Sequence, residues 1–189
     1  MAPLVKKILF PLIALFLAIQ SFYAVTMLAY YGLDDSPLLA FFVAWVLNMC
    51  ITGVFALLVF SHPVERLLPE AYYRIQRPAL LKKVYNLLKV ETFRKFLLLT
   101  FWRSREQRKK YFTGTRAGFA LLDTQSRKSE FGHLLPLVLL TVASVYIFAE
   151  DNIWVPVFIF GWNVIGNLYP ILLQRYHRLR LGRIVGRFR

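Results

Sequence analysis

Four apolar stretches, each near the length needed to cross a bilayer, leave this chain few ways to fold. They run from about Ile8 to Tyr31, Pro37 to Phe60, Leu134 to Ala149 and Ile153 to Leu173. A helix of about 20 apolar residues spans the hydrocarbon core. In hydrocarbon the backbone must satisfy its own hydrogen bonds, and a helix does so within one segment. The third stretch is the shortest, so it is expected to begin nearer Phe131 or to tilt into the interface. The expected fold class is therefore an all-α integral membrane protein with four transmembrane helices. Composition agrees: 58% of the 189 residues are hydrophobic, with 17 Phe and 10 Tyr, yet the formal charge is +14.

Where that charge lies predicts an orientation. The two short connections, between the first and second stretches and between the third and fourth, hold Asp34, Asp35, Glu150 and Asp151 and no basic residue. All 24 Lys and Arg lie in three places: Lys6 and Lys7 at the N-terminus, sixteen between residues 61 and 133, and six from residue 174 onward. Basic residues are retained on the cytoplasmic side. A multi-pass protein of the bacterial cytoplasmic (inner) membrane, with both termini and the central segment inside, satisfies all three regions. The first stretch follows Lys6 and Lys7 as a signal peptide would. It is longer than a signal h-region and has no Ala-x-Ala-like site before Asp34, so a retained anchor is expected.

The resulting plan has a two-span hairpin over residues 1–60, a basic cytoplasmic segment over 61–133, a second hairpin over 134–173 and a basic tail over 174–189. Amphipathic interfacial helices are expected between the second and third spans. From Ala79 to Val90 the Leu, Val and Tyr residues fall mostly on one side, with Lys82, Lys83 and Lys89 free to snorkel. The run from Val90 to Trp102 has an apolar core too short to span. Pro63, Pro69 and Pro78 should each interrupt a helix, and Gly114 and Gly118 bracket an expected turn. These basic residues are interleaved with Leu, Phe and Trp, so membrane lipid phosphate is a simpler partner than nucleic acid. The single Cys50 lies mid-span, where a small buried hydrophobe is expected rather than a nucleophile. No disulfide framework or Cys-x-x-Cys metal pattern exists.

Polar residues inside apolar windows carry the functional signal, because each unpaired polar group in hydrocarbon costs several kcal/mol. Asn167 stands three residues before Pro170, and Gln174, Arg175 and Tyr176 follow where the fourth helix should leave the bilayer. A stop-transfer end explains the arginines and Tyr176 as well as a site does, but not Asn167 and Gln174. Upstream, Glu130 and His133 are three apart and share one helix face. Counted from the connection at residues 150–152, His133 and the Pro170–Gln174 region are about equally distant, at about 1.5 Å per helical residue. Glu130, His133, Asn167, Gln174, Arg175 and Tyr176 are thus expected to surround one pocket at the inner leaflet. A histidine oriented by a carboxylate can act as a general base, and Arg175 can hold a phosphate or a developing oxyanion. The alternative is that Glu130 pairs with Arg127 or a tail arginine while His133 marks the interface. His62 and Glu65 share the same spacing, but without a third ligand they support no metal site. There is no Gly-x-Ser-x-Gly, no P-loop and no His-x-x-x-x-Asp acyltransferase motif.

The run Asn167-x-x-Pro170-Ile-x-x-Gln174-Arg175-Tyr176-x-Arg178-x-Arg180-Leu181 resembles the C-terminal signature of the glycosyl-4,4'-diaponeurosporenoate acyltransferase family. Lys128-Ser-Glu130-Phe-Gly-His133 is similar to that family's Glu-x-x-His segment, and Leu68-Pro69-Glu-Ala-Tyr72-Tyr73 to its Leu-Pro/aromatic motif. The likeness covers roughly residues 67 to 185. His177 and Leu179 stand where many members have Asn and Pro, and the family's Leu-Pro-Asp-Gly-like segment is replaced by the run from Phe93 to Thr100. The resemblance implies esterification of a fatty acyl group onto a sugar hydroxyl of a glycosylated carotenoid. Its matched site residues here are Glu130, His133, Asn167, Gln174, Arg175 and Tyr176.

Two functions follow as expectations. In the first, a membrane-bound acyltransferase works at the inner leaflet, with Glu130 and His133 catalytic and Asn167, Gln174, Arg175 and Tyr176 binding a lipid or glycosylated carotenoid substrate. No bound cofactor is expected; acyl-CoA or acyl carrier protein, drawn by the basic surface, would donate the acyl group. In the second, a non-enzymatic subunit docks a partner or lipid. Only the first requires the buried polar set. A transporter is disfavoured, because four spans show no Gly/Pro-broken repeat pair. The oligomeric state is left open.

Overall fold

Gly32 closes the first helix. Helix α1 (Pro3–Tyr31) ends where Gly32 takes a left-handed φ of 68° and its N–H bonds the Leu28 carbonyl at 3.1 Å, a conformation that needs a residue without Cβ. In the computed structural model, residues 3–33, 36–100, 116–148 and 153–186 are described. The expected acidic connections at Asp34, Asp35, Glu150 and Asp151, and the expected turn at Gly114, lie outside them.

Helix α2 (Pro37–Ser61) starts with Ser36 accepting a hydrogen bond from the Leu39 N–H at 3.3 Å and with Pro37 in the first turn, a cap that satisfies otherwise orphaned donors. It stops at His62, whose extended backbone is what Pro63 imposes on the residue before it. Three short helices follow: α3 (Glu70–Tyr73), α4 (Pro78–Leu87) and α5 (Val90–Thr100). Pro69 and Pro78 each sit where a helix begins rather than inside one. Helix α6 (Arg116–Phe148) and helix α7 (Trp154–Asn163) come next; a π-helical turn (Val164–Leu168) leads from α7 into α8 (Tyr169–Gly186).

The described residues contain helices and no strand, and four stretches are long and apolar enough to cross a membrane: Val5–Tyr31, Pro37–Ser61, Gly118–Phe148 and Trp154–Gly182. The all-α, four-span expectation holds. Two boundaries change. The third helix begins far upstream of Leu134, and Gly118 is helical rather than part of a turn. Asp123, Arg127, Lys128 and Glu130 lower the hydropathy of that upstream half, but each is matched by a charged partner, so none of them forces the helix to end.

The chain divides into two units. The first comprises residues Met1–Pro63 and Gly132–Leu168, hence α1, α2, the second half of α6, and α7 with its π-turn. Its core joins Leu28, Ala40, Ala44, Leu47, Leu140 and Ile159. Ala40 and Ala44 are fully buried, and side chains this small let helix backbones approach closely where lipid supplies no hydrophobic driving force. Phe16, Phe22, Val142 and Val145 are each more than half exposed, the apolar surface that acyl chains would cover.

The second unit comprises Val64–Phe131 and Tyr169–Arg189. Tyr85, Val90 and Leu173 form its apolar centre, with Phe93 and Tyr176 packed against them. The Tyr85 and Tyr176 rings stack at 3.8 Å. The turn between α4 and α5 places Lys89 at φ 49°, a conformation that costs a non-glycine residue of order 1 kcal/mol. Tyr169 donates to the Leu88 carbonyl at 2.9 Å, and Tyr85 donates to Glu91 Oε2 at 2.8 Å; both bonds brace that turn. Hydrogen bonds from Arg94 hold the Glu91 carboxyl down to about 2, while burial and then Glu91 push the Tyr85 hydroxyl up.

Candidate functional site

Pro170 has no N–H, so the Gly166 carbonyl four residues earlier lacks its ordinary helical donor. The backbone there widens into the π-turn Val164–Leu168, a form that recurs at functional positions. Asn167 in that turn is fully buried and holds together the polar groups of the first unit. Its Nδ2 donates to Asn163 Oδ1 at 3.0 Å, to Thr52 Oγ1 at 3.2 Å and to Asn48 Oδ1 at 3.4 Å. Its Oδ1 lies 3.0 Å from His133 Nδ1 and accepts from Thr52 at 3.3 Å. A Cβ on Gly166 would come within 3.3 Å of Asn48 Oδ1, so glycine lets α2 approach there. Asn163 in turn donates to the Leu137 carbonyl at 2.9 Å and to Thr141 Oγ1 at 3.2 Å.

The second unit has a charged counterpart. Glu130 is fully buried. Its Oε1 accepts from Arg175 Nε at 2.7 Å and its Oε2 pairs with Arg178. Arg178 also donates to Ser126 Oγ at 3.0 Å, and Ser126 donates to the Gln174 carbonyl at 3.2 Å. Ser126 and Glu130 are one turn apart on α6; Arg175 and Arg178 are three apart on α8. That spacing lets two helix faces exchange four side chains. Tyrosine rings from α3 cover the guanidinium groups: Arg175 lies 4.8 Å over Tyr72, while Arg178 and Arg127 lie 5.4 and 4.9 Å from Tyr73. Burial, and then the Glu130 charge, push the Tyr73 hydroxyl up to about 12, so it stays neutral at physiological pH. Arg127 pairs with Glu70 and, at 2.8 Å, with Asp123, and its hydrogen bond holds the exposed Glu70 carboxyl below its usual range. A cleft of about 800 Å³ opens beside these groups, lined by Tyr73, Arg74, Gln76, Arg127 and Arg178 among others.

The sequence profile of the glycosyl-4,4'-diaponeurosporenoate acyltransferase family matches residues 69–187. The chain belongs to that family. No curated protein and no solved structure matches it. The family match takes in Glu130, His133, Asn163, Asn167, Arg175 and Arg178, whereas Asn48 and Thr52 on α2 precede it.

Within this family member, the six residues expected from sequence fall into two groups. His133 and Asn167 meet in the first unit. Glu130 and Arg175 meet in the second, where the tail-arginine pairing weighed for Glu130 is what occurs. Gln174 contributes its backbone carbonyl to Ser126, and Tyr176 stacks on Tyr85. His62 Nδ1 lies 2.8 Å from Ser61 Oγ, while Glu65 pairs with Lys128 at 3.5 Å. Sequence reasoning did not single out Asn48, Asn163, Ser126 or Arg178. Asn48 and Asn163 carried the same signal as Asn167, a carboxamide within an apolar window. Ser126 carried none, since a serine in a polar stretch is unremarkable.

Proposed function

We propose that this protein is a membrane-bound acyltransferase that esterifies a hydroxyl of a glycosylated carotenoid or related glycolipid, with His133 as the general base. The observation that carries this reading is His133 held by a buried asparagine inside an apolar helix bundle, in a chain whose family profile names that transfer. An ionisable residue kept at membrane depth is functional by default, because its burial is costly. The imidazole takes the proton of the acceptor hydroxyl as that oxygen bonds to the thioester carbonyl carbon of acyl-CoA or an acyl carrier protein. The C–S bond breaks, and the departing thiolate recovers the proton from the imidazolium. Ester and free thiol result.

The remaining groups take supporting roles. Asn167 positions His133. Arg175, only partly buried and stacked on Tyr72, binds an anionic group of a substrate. Glu130, with both oxygens engaged by arginine, anchors those charges and does not itself move protons.

His133→Gln should lower product formation by about 10²-fold or more, the usual worth of a positioned base, with the protein equally abundant in the membrane. Whole-lipid mass spectrometry of bacteria supplied with glycosylated carotenoid would read the acyl increment. Equal product from both forms removes His133 from the chemistry; no product from either removes this acceptor.

The distribution of Lys and Arg supports a reaction at the inner leaflet of a bacterial cytoplasmic membrane, with both termini inside. In a Cys50→Ser background, single cysteines introduced at Ala2 and at Arg187 should resist a membrane-impermeant thiol reagent in intact cells and react once the cells are opened. Labelling of either in intact cells reverses the topology.

A further inference from the structure

The donors and acceptors around His133 are ordered by one backbone carbonyl. Asn163 lies 2.9 Å from the carbonyl oxygen of Leu137, which can only accept. The amide nitrogen of Asn163 must therefore face Leu137, and its Oδ1 must face Asn167. Asn167 must answer that oxygen with its own amide nitrogen, at 3.0 Å. The opposite rotamer would set Asn167 Oδ1 against the Asn163 oxygen. Asn167 Oδ1 is thus left facing His133 Nδ1 at 3.0 Å, and an amide oxygen only accepts. The ring nitrogen there has to carry the hydrogen. Thr52 fits either side of the amide, since its hydroxyl both donates and accepts.

We infer that a polar relay running from the Leu137 carbonyl through Asn163 and Asn167 fixes His133 as the Nδ1–H tautomer, and so leaves its proton-accepting lone pair on Nε2. Asn163 and Asn167 are positioning residues for that base. Asn48 and Thr52 complete the relay from a helix outside the family-matched segment, so the second apolar hairpin helix is part of the site's chemistry as well as a membrane anchor. The catalytic consequence rests on His133 being the base; the tautomer itself is set by the protein's own groups and exists without substrate.

Nitrogen-15 NMR of histidine-labelled protein in lipid bilayers near neutral pH reads the tautomer directly. The chain has three histidines, and His62→Gln with His177→Gln leaves only His133 in the spectrum. The expected result is one protonated ring nitrogen, Nδ1, and one bare ring nitrogen, Nε2. Protonation at Nε2 alone, or at both nitrogens, would overturn the assignment. Asn163→Leu should release the relay and give a mixture of tautomers; an unchanged spectrum would remove Asn163 from it. Asn163→Asp keeps an oxygen facing Asn167 and should preserve the Nδ1–H form, so a switch to Nε2–H there would also refute the relay. These spectra need no acyl donor. If the tautomer is confirmed while His133→Gln still transfers acyl groups, only the catalytic reading is lost.

Discussion

Glu130→Ala is expected to destabilise the protein by about 3–5 kcal/mol, the cost of leaving a buried charge without its partner. The Arg178 side chain is only 6% exposed and that of Arg175 31% exposed, so Arg175 can turn toward solvent or headgroups when the carboxylate goes. Arg178 cannot. Its Nη1 would keep Ser126, a neutral oxygen in place of a charged one. The melting transition in detergent, followed by tryptophan fluorescence, should fall steeply, and the protein should thin out in the membrane. Pairing the change as Glu130→Leu with Arg178→Met should recover much of the loss, because replacing a whole buried ion pair with apolar groups of similar volume is often near neutral. A Glu130→Ala protein that melts like the parent would mean the arginines are solvated without Glu130, and the buried charge network would have to be abandoned.

Asn167→Leu is expected to separate stability from activity. The carboxamide bonds Asn163, Thr52, Asn48 and His133. Individual interhelical hydrogen bonds in membranes average about 0.6 kcal/mol, with a maximum near 1.7, so losing several should cost about 1–3 kcal/mol. The protein should still insert. The effect on catalysis should be larger, about 10²-fold or more in acyl transfer, because an unheld His133 loses both its orientation and its preferred tautomer. Val138→Ala, at an apolar position on α6 that is 52% exposed, serves as the control and should leave both quantities nearly unchanged. If Asn167→Leu transferred acyl groups as well as the control, the polar relay would be a packing device and His133 would need no positioning.

The two clusters differ in how far they could be anticipated. Asn167 announced itself, since a carboxamide three residues before a proline in an apolar run has no cheap explanation. What it bonds was hidden. Asn48 lies 119 residues away along the chain, and no periodicity links the two. Glu130 and His133 share a helix face, as their spacing required. Yet one receives arginines from α8 and the other an asparagine from the π-turn. Spacing within a helix says which side chains are neighbours on it, and nothing of which helix will meet them. The third helix outruns its apolar stretch for a related reason: hydropathy counts Asp123, Arg127, Lys128 and Glu130 as breaks, because a window cannot see that Glu70, Glu65 and the α8 arginines will neutralise them.

The amino-acid sequence by itself determined the number of spans and the helical class. Length of apolar run and the backbone's need to bond internally are properties of each segment alone. The tail signature also carried the family. Only the tertiary structure decided the pairings, because a buried polar group takes whichever partner packing brings within hydrogen-bond distance. It turned Glu130 into the anchor of two arginines and gave His133 an asparagine oriented by a carbonyl on its own helix. It also brought Asn48 and Thr52, from a helix before the family match, to the carboxamide on which that histidine depends.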